Sequence, residues 1–472
     1  MLILFLLFLQ APAKYTTNPP KHSPQAVALV DQARTLPPEF GADTLLRLAE
    51  SRLVTEKKWQ QELIDEAFWS GRRAPLPYLQ WADRRDSLPT RQVRANRLET
   101  LTLQTRAIEA MLTLDPGRAL RMFDEMKPLT LPDPDCSEII TPDVSAYYHT
   151  ASAIFEHAFT PKQRQDEEDI AFLKRTIAAV ESPVQVAPVL KSVLALKVTP
   201  EKRIVLFADL TATLDRVSGS DRSFGAVEGT LVPNASPGMA ESPAFVAALR
   251  NYILRHVRGR RCTDNVPSAG KTSTSVTQFN ELVAKLDPTG ERFKPIREAE
   301  AKPLAEVGSY KPRLLWKSTR AKAVLAALQW LHHGNREPAE EHLWTLQERS
   351  TDEWLQHYQD TLKLLDGWKE DGEDSPAEYL CMATDALSDL AALAPPGRVR
   401  DRAMSAYLEV LEESYVSNEN RNLWFTQFRQ MLYRARYSKD PADKAWILNT
   451  MASSTNPVIA LYAKLEILEV AP

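Results

Sequence analysis

Glycine is the first shortage, with 15 in 472 residues. A β-rich chain would need more in its hairpin turns. No stretch alternates polar and apolar residues between hairpin signals either, so no sheet is expected. Cysteine is scarcer, and Cys136, Cys262 and Cys381 stand too far apart for a CxxC metal site or redox pair. Neither sign of charge dominates. A net charge of −4 gives no global drive toward nucleic acid or an anionic membrane. Long apolar runs are missing too. Leu2 to Leu9 is unbroken but too short for a bilayer, which takes about 20 residues. The chain is therefore read with no integral membrane span and no nucleic-acid partner.

Proline, by contrast, is plentiful at 33 residues, and it recurs in one device. A short capping residue directly precedes proline at Ser23-Pro24, Asp115-Pro116, Thr141-Pro142, Thr160-Pro161, Ser182-Pro183, Thr199-Pro200, Ser242-Pro243, Ser375-Pro376, Asp440-Pro441 and Asn456-Pro457. The polar side chain accepts from the unpaired N–H groups of a first helical turn. Proline lacks an N–H that would be orphaned there, and its φ is preset for a helix. Thr160 with Gln163, Ser182 with Gln185 and Ser375 with Glu378 extend to capping boxes. These starts, and the apolar spacing behind them, predict helices near 24–35, 42–53, 56–70, 75–84, 90–113, 116–126, 143–158, 162–181, 183–195, 200–217, 243–258 and 276–286. Further on they predict 312–333, 338–349, 352–369, 376–393, 398–415, 420–436, 441–452 and 457–468.

The stretch from Trp316 to Trp368 holds five of the ten tryptophans, and three of the four gaps are fourteen residues, close to four helical turns. Leu328, Leu331, Leu343, Leu346, Leu355 and Leu362 fall between them at helical spacing. A break from Gly334 to Pro338 makes this a helix, a turn and a second helix. Neither can bury its apolar stripe alone, so neighbours must stack on both sides.

Ala11-Pro12-Ala13, after the apolar run, fits a signal-peptidase site, although no Lys or Arg precedes that run. Residues 1–13 are read as a signal peptide and the protein as periplasmic or secreted. Residues 14–258 form an N-terminal helical array, 259–311 a loop-rich connection and 312–472 a C-terminal helical array. Residues 218–242 read as a long turn-rich loop. Cys136 and Cys262 hold loop positions, whereas Cys381 lies in a helical pattern. An exported chain would join Cys136 to Cys262 and keep Cys381 as a buried thiol; in a reducing compartment all three would stay free.

Trp330, Gly334, Ala339 and Leu343 fall where a tetratricopeptide-type repeat places an aromatic, a turn glycine, a small residue and a large apolar one. Ala119 and Phe123, after Leu114-Asp115-Pro116-Gly117, give a second such match. The chain thus resembles tetratricopeptide-like helical-repeat proteins, and is similar to uncharacterised exported bacterial ones. The resemblance implies an all-α fold: a right-handed superhelical array of antiparallel helix pairs (an α-solenoid), here in two blocks joined by a long loop region. It also implies a protein or peptide partner.

Chemistry-bearing motifs are few. Ala269-Gly270-Lys271-Thr272 matches the end of a P-loop, but Asn265 occupies the position of its first glycine. His332, His333 and His342 flank one turn and are the metal-ligand candidates, without an HExxH. His149, Glu156 and His157 share one helix, but the histidines lie about 80° apart around it. No Gly-x-Ser-x-Gly elbow occurs. The acidic run Asp166 to Asp169 reads as a solvated first turn. Arg255 to Arg261 reads chiefly as compensation of a helix dipole. Trp330, Trp344 and Trp354, with Arg258, Arg260 and Arg261, are the partner-surface candidates, beside the reading that the tryptophans fill inter-helix space. The expectation is a scaffold or peptide-binding module without catalytic residues or cofactors. The alternative is a metal-assisted or glycan-directed hydrolase with its site between helices. Oligomeric state is left open.

Overall fold

The computed structural model describes residues 22–81, 96–137, 141–225, 231–236, 238–263, 273–308, 315–333, 351–368, 373–394, 397–417, 421–438 and 440–470. The helices expected at 338–349 and over most of 90–99, together with Trp344, His342, Gly334, Ala339, Leu343 and the signal segment, lie outside these residues.

Twenty α-helices lie among the described residues. In chain order they are α1 (Pro24–Thr35), α2 (Pro38–Glu50), α3 (Lys57–Gly71), α4 (Thr100–Leu114), α5 (Pro116–Asp124), α6 (Ser145–His157), α7 (Pro161–Gln165), α8 (Glu168–Ala178), α9 (Pro183–Ala195) and α10 (Pro200–Arg216). Then come α11 (Asp221–Gly225), α12 (Pro243–Val257), α13 (Thr274–Leu286), α14 (Thr319–His333), α15 (Thr351–Asp366), α16 (Pro376–Leu393), α17 (Arg398–Ser417), α18 (Arg421–Tyr437), α19 (Pro441–Ala452) and α20 (Pro457–Val470). The fold is predominantly all-α, with neighbouring helices packed pairwise along the chain.

Nine of the ten capped prolines open a helix. Asp115 accepts from the N–H of Arg118 at 2.9 Å, and Ser375 from that of Glu378 at 3.3 Å while the Glu378 carboxylate takes the Ser375 N–H at 3.0 Å. The exception is Thr141-Pro142. There Thr141–Asp143 (β2) pairs antiparallel with Leu79–Trp81 (β1), where a helix over 75–84 was expected. Proline is tolerated because a two-stranded ladder is all edge. The next helix has Val144 at its N-cap, and Asp143, one residue earlier, accepts from the N–H of Ser145 at 2.9 Å. The helix expected at 162–181 is broken at Glu167, whose φ is 58°. Asp169 is not solvated there; it is 2% exposed and meets Arg164 at 3.4 Å and Lys202 at 3.6 Å.

Residues 259–311 are folded onto α12 over much of their length. Arg260–Cys262 (β3) pairs in parallel with Ala305–Val307 (β4). Phe279, Phe293 and Ile296 are buried, and Arg250 of α12 is held by Glu300 at 3.0 Å. Three loops meet beside this ladder. The sulfurs of Cys136 and Cys262 are 2.02 Å apart, and Cys381 is a buried thiol. Asp221 pairs with Arg261 at 2.5 Å and accepts from the N–H of Cys262 at 2.7 Å. Phe224 of the short α11 stacks on His256 at 4.5 Å, so the segment 218–242, expected as loop, supplies a helix to the core.

The ends of the chain also meet. Phe40 of α2, fully buried, lies 5.2 Å from Phe425 and 6.2 Å from Trp424 of α18, and 6.5 Å from Tyr462 of α20. Around this aromatic seam Arg47 meets Glu466 at 3.0 Å and Glu469 at 2.7 Å. Asp43 accepts from Arg106 at 2.6 Å and from the Tyr462 hydroxyl at 2.7 Å. One cluster of buried apolar residues runs from Ala26 to Leu465. The two expected blocks are thus joined through their outer ends as well as through 259–311.

Two tests follow from this packing. Phe40→Ala removes the ring on which three others converge, and should cost about 3–5 kcal/mol, read as a fall in the urea midpoint. His256 is buried with its Nε2 unpartnered. Burial, with Arg255 and Arg261 nearby, brings its pKa down to about 4. The unfolded chain takes up a proton near pH 6.5 and the fold does not until about 4. Stability should therefore be full above pH 6.5 and fall by about 2–3 kcal/mol as pH drops through that window. His256→Phe should flatten the slope; an unchanged slope would show the histidine to be uninvolved.

Candidate functional site

The chemistry gathers on α18. Its sequence, Arg421 to Tyr437, buries Trp424, Phe425, Phe428, Met431, Leu432 and Ala435. The other face carries two rows at helical spacing: Arg429, Tyr433 and Arg436, and Gln430, Arg434 and Tyr437. Residues three and four apart lie above one another, so each row is a continuous strip.

The strip bearing Arg434 looks into a cavity of about 730 Å³. Ser388 and Ala391 of α16, Arg400 and Met404 of α17, Asp443 and Ile447 of α19, and Asn96 complete its walls. The strip bearing Arg429 borders a second cavity of about 400 Å³, walled by Asp43 and Arg47 of α2, Arg106 of α4, Arg97, and Tyr462, Glu466 and Glu469 of α20. Asn96, Arg429 and Tyr433 line both, so the two chambers adjoin across these residues and are together called the cleft. Asn96 is anchored there by donating to Thr426 at 2.8 Å and accepting from Arg429 at 3.3 Å. Arg97, next to it, holds φ 59°, a left-handed conformation that costs about 1–2 kcal/mol for a residue with a Cβ.

The cleft is electropositive. Seven arginines line it (47, 97, 106, 400, 429, 434 and 436) against four carboxylates (43, 443, 466 and 469), an excess of three positive charges. Arg400 is held by Asp443 at 2.5 Å, and Arg436 by Glu466 at 2.7 Å. Arg434 instead donates to neutral atoms, the Ser388 carbonyl at 2.5 Å and hydroxyl at 3.1 Å. Burial pulls the Arg434 and Arg429 guanidiniums below their ordinary value. At the mouth, Tyr433 and Tyr437 are 63% and 62% exposed, with ring centroids 4.2 Å apart. Ser438 donates to Asp443 at 2.8 Å. The arrangement suits binding of an anion beside a flat or apolar group.

The residues singled out from sequence lie elsewhere. Trp330 is half-buried with its ring 3.6 Å from that of His357. Trp354 is 9% exposed and packs on Tyr358, so it is a core residue and leaves the partner-surface set. Arg261 leaves it as well, at 2% exposure in its ion pair; Arg258 and Arg260 are exposed. His332 meets Asp389 at 2.8 Å on the surface, while the His333 side chain lies outside the description with His342. Among the described residues no group of three His, Cys, Asp or Glu is placed to hold a metal. No helix among them is long and apolar enough to cross a membrane. Arg429, Arg434, Tyr433 and Tyr437 were missed, because helical spacing alone places them on a solvated face. No protein-family model, no curated protein and no solved structure matches the chain.

Behind the first chamber, burial pushes the Asp385 carboxyl up to about 6, Asp389 adding to the shift and a Gln430 hydrogen bond opposing it. A raised carboxyl pKa means that the fold holds this proton more tightly than the unfolded chain. The cost of ionising it in the fold builds between about pH 4 and 6 and is fully present above that. Asp385→Asn should therefore raise stability by about 1–2 kcal/mol at pH 8 and leave it unchanged at pH 4, as read by denaturant melts.

Proposed function

We propose that the protein is a non-catalytic helical scaffold that binds a protein or peptide segment in the cleft between α2, α4 and α16–α20. The observation that carries this reading is the pair of adjoining chambers, with their arginine excess and tyrosine mouth. Two adjoining chambers along one face of α18 suit an extended chain better than a compact metabolite, and aromatic and arginine side chains are those that dominate binding surfaces. The pairwise packing of neighbouring helices supports kinship in architecture with tetratricopeptide-like arrays, whose function is also partner binding. The Cys136–Cys262 bond supports export to an oxidising compartment, periplasmic or extracellular.

The test is selection of a random twelve-residue display library on the immobilised protein, followed by hydrogen exchange with an enriched peptide. The reading expects enrichment, with protection concentrated in 388–404 and 426–447. No enrichment, or protection confined to α6–α12, would overturn it.

A further inference from the structure

We infer that the first chamber of the cleft receives an acidic stretch of polypeptide that carries an aromatic or proline ring next to its carboxylate, with Arg434 as the anion receptor and Tyr433–Tyr437 as the stacking lip. This rests on the peptide-binding reading above and specifies the partner's chemistry.

Four of the arginines that line the cleft with Arg434 have their charge met: Arg400 by Asp443, Arg106 by Asp43, and Arg47 and Arg436 by Glu466 and Glu469. Among the described residues Arg434 forms no ion pair, and Asp389 and Asp443 act on it only from beyond contact distance. It faces the carbonyl and hydroxyl of Ser388 and, at 3.9 Å, the sulfur of Met404. A half-buried guanidinium left with neutral acceptors is costly, and an arriving carboxylate would offset that cost with a charge-assisted, two-pronged bond. The excess of three positive charges along the cleft favours the same sign of ligand.

Tyr433 and Tyr437 stand one helical turn apart, both largely exposed, with their rings tilted at 38°. Large aromatic faces side by side in water are what a monomer rarely displays without a partner. They continue into an apolar floor of Ala391, Met404 and Ile447. A ring laid on the tyrosines sits beside the route to Arg434, so an acid and a ring adjacent in sequence would engage both. Proline and aromatic rings both present flat apolar faces for this.

The probe is a fluorescent, end-blocked decapeptide of alternating glutamate and tyrosine, measured by anisotropy against its glutamine–tyrosine and lysine–tyrosine counterparts. The inference expects the glutamate peptide to bind at least tenfold more tightly than the glutamine peptide, and the lysine peptide not to bind. Arg434→Gln should abolish that preference, the glutamate peptide binding no more tightly than the glutamine peptide. The double variant Tyr433→Ala and Tyr437→Ala, at exposed positions where folding is insensitive, should weaken both peptides tenfold or more. Equal binding of glutamate and glutamine peptides, or a preference that survives Arg434→Gln, overturns the inference and leaves the peptide-binding reading standing. Failure of all three peptides together with an unenriched library removes both. Displacement of a bound library peptide by dodecyl phosphate, with no effect of the glutamate peptide, would assign the chamber to a small anionic amphiphile instead.

Discussion

The seam at Phe40 is what the rest of the molecule depends on. An amphipathic helix must cover its apolar stripe, and in a linear stack the first and last helices have a neighbour on one side only. This chain covers its ends with each other. Phe40 carries the apolar part of that junction into Trp424, Phe425 and Tyr462. The polar part is a set of charges satisfied across it: Asp43 by Arg106 and Tyr462, and Arg47 by Glu466 and Glu469. Removing one member of such a set leaves a buried charge unmet, so the junction is specific as well as adhesive. Asp43 and Tyr462, and Arg47 and Glu466, lie 419 residues apart in sequence.

The cleft is a product of the same junction. Its second chamber is walled by α2 and α4 on one side and by α18 and α20 on the other, so it exists only when the ends are together. Asn96 reaches from the N-terminal side into both chambers and ties Thr426 and Arg429 to it. Arginines gathered this densely would repel one another were Asp43, Asp443, Glu466 and Glu469 not interleaved. The carboxylates remove most of that repulsion and leave a residual field of one sign. The junction and the cleft thus share residues.

The helices were legible because their start signals are local. A cap and a proline at Ser375-Pro376 or Thr160-Pro161 act within one turn, and tertiary packing has little to override. Thr141-Pro142 shows where locality fails: pairing with Leu79–Trp81 takes the backbone, and the helix starts three residues after the proline. Position 167 is another case, since a left-handed residue inside an apolar-periodic stretch leaves no mark on the periodicity. The site was illegible for a related reason. Arg429, Tyr433, Arg434 and Tyr437 form the face of α18 that a sequence reading assigns to solvent, and the walls opposite come from α2, α4, α16, α17, α19 and α20. Tryptophan density drew attention to residues 316–368, where Trp354 and Trp368 are simply core.

Closure of the chain ends is the claim on which the fold and the cleft both rest. Gln32 and Lys464 touch across the junction at 3.3 Å on the outer surface. With Gln32→Cys and Lys464→Cys in one chain, a short bismaleimide should join the two positions intramolecularly in dilute native protein, and far faster than in the urea-unfolded chain. A native protein that cross-links no faster than the unfolded one would contradict the account.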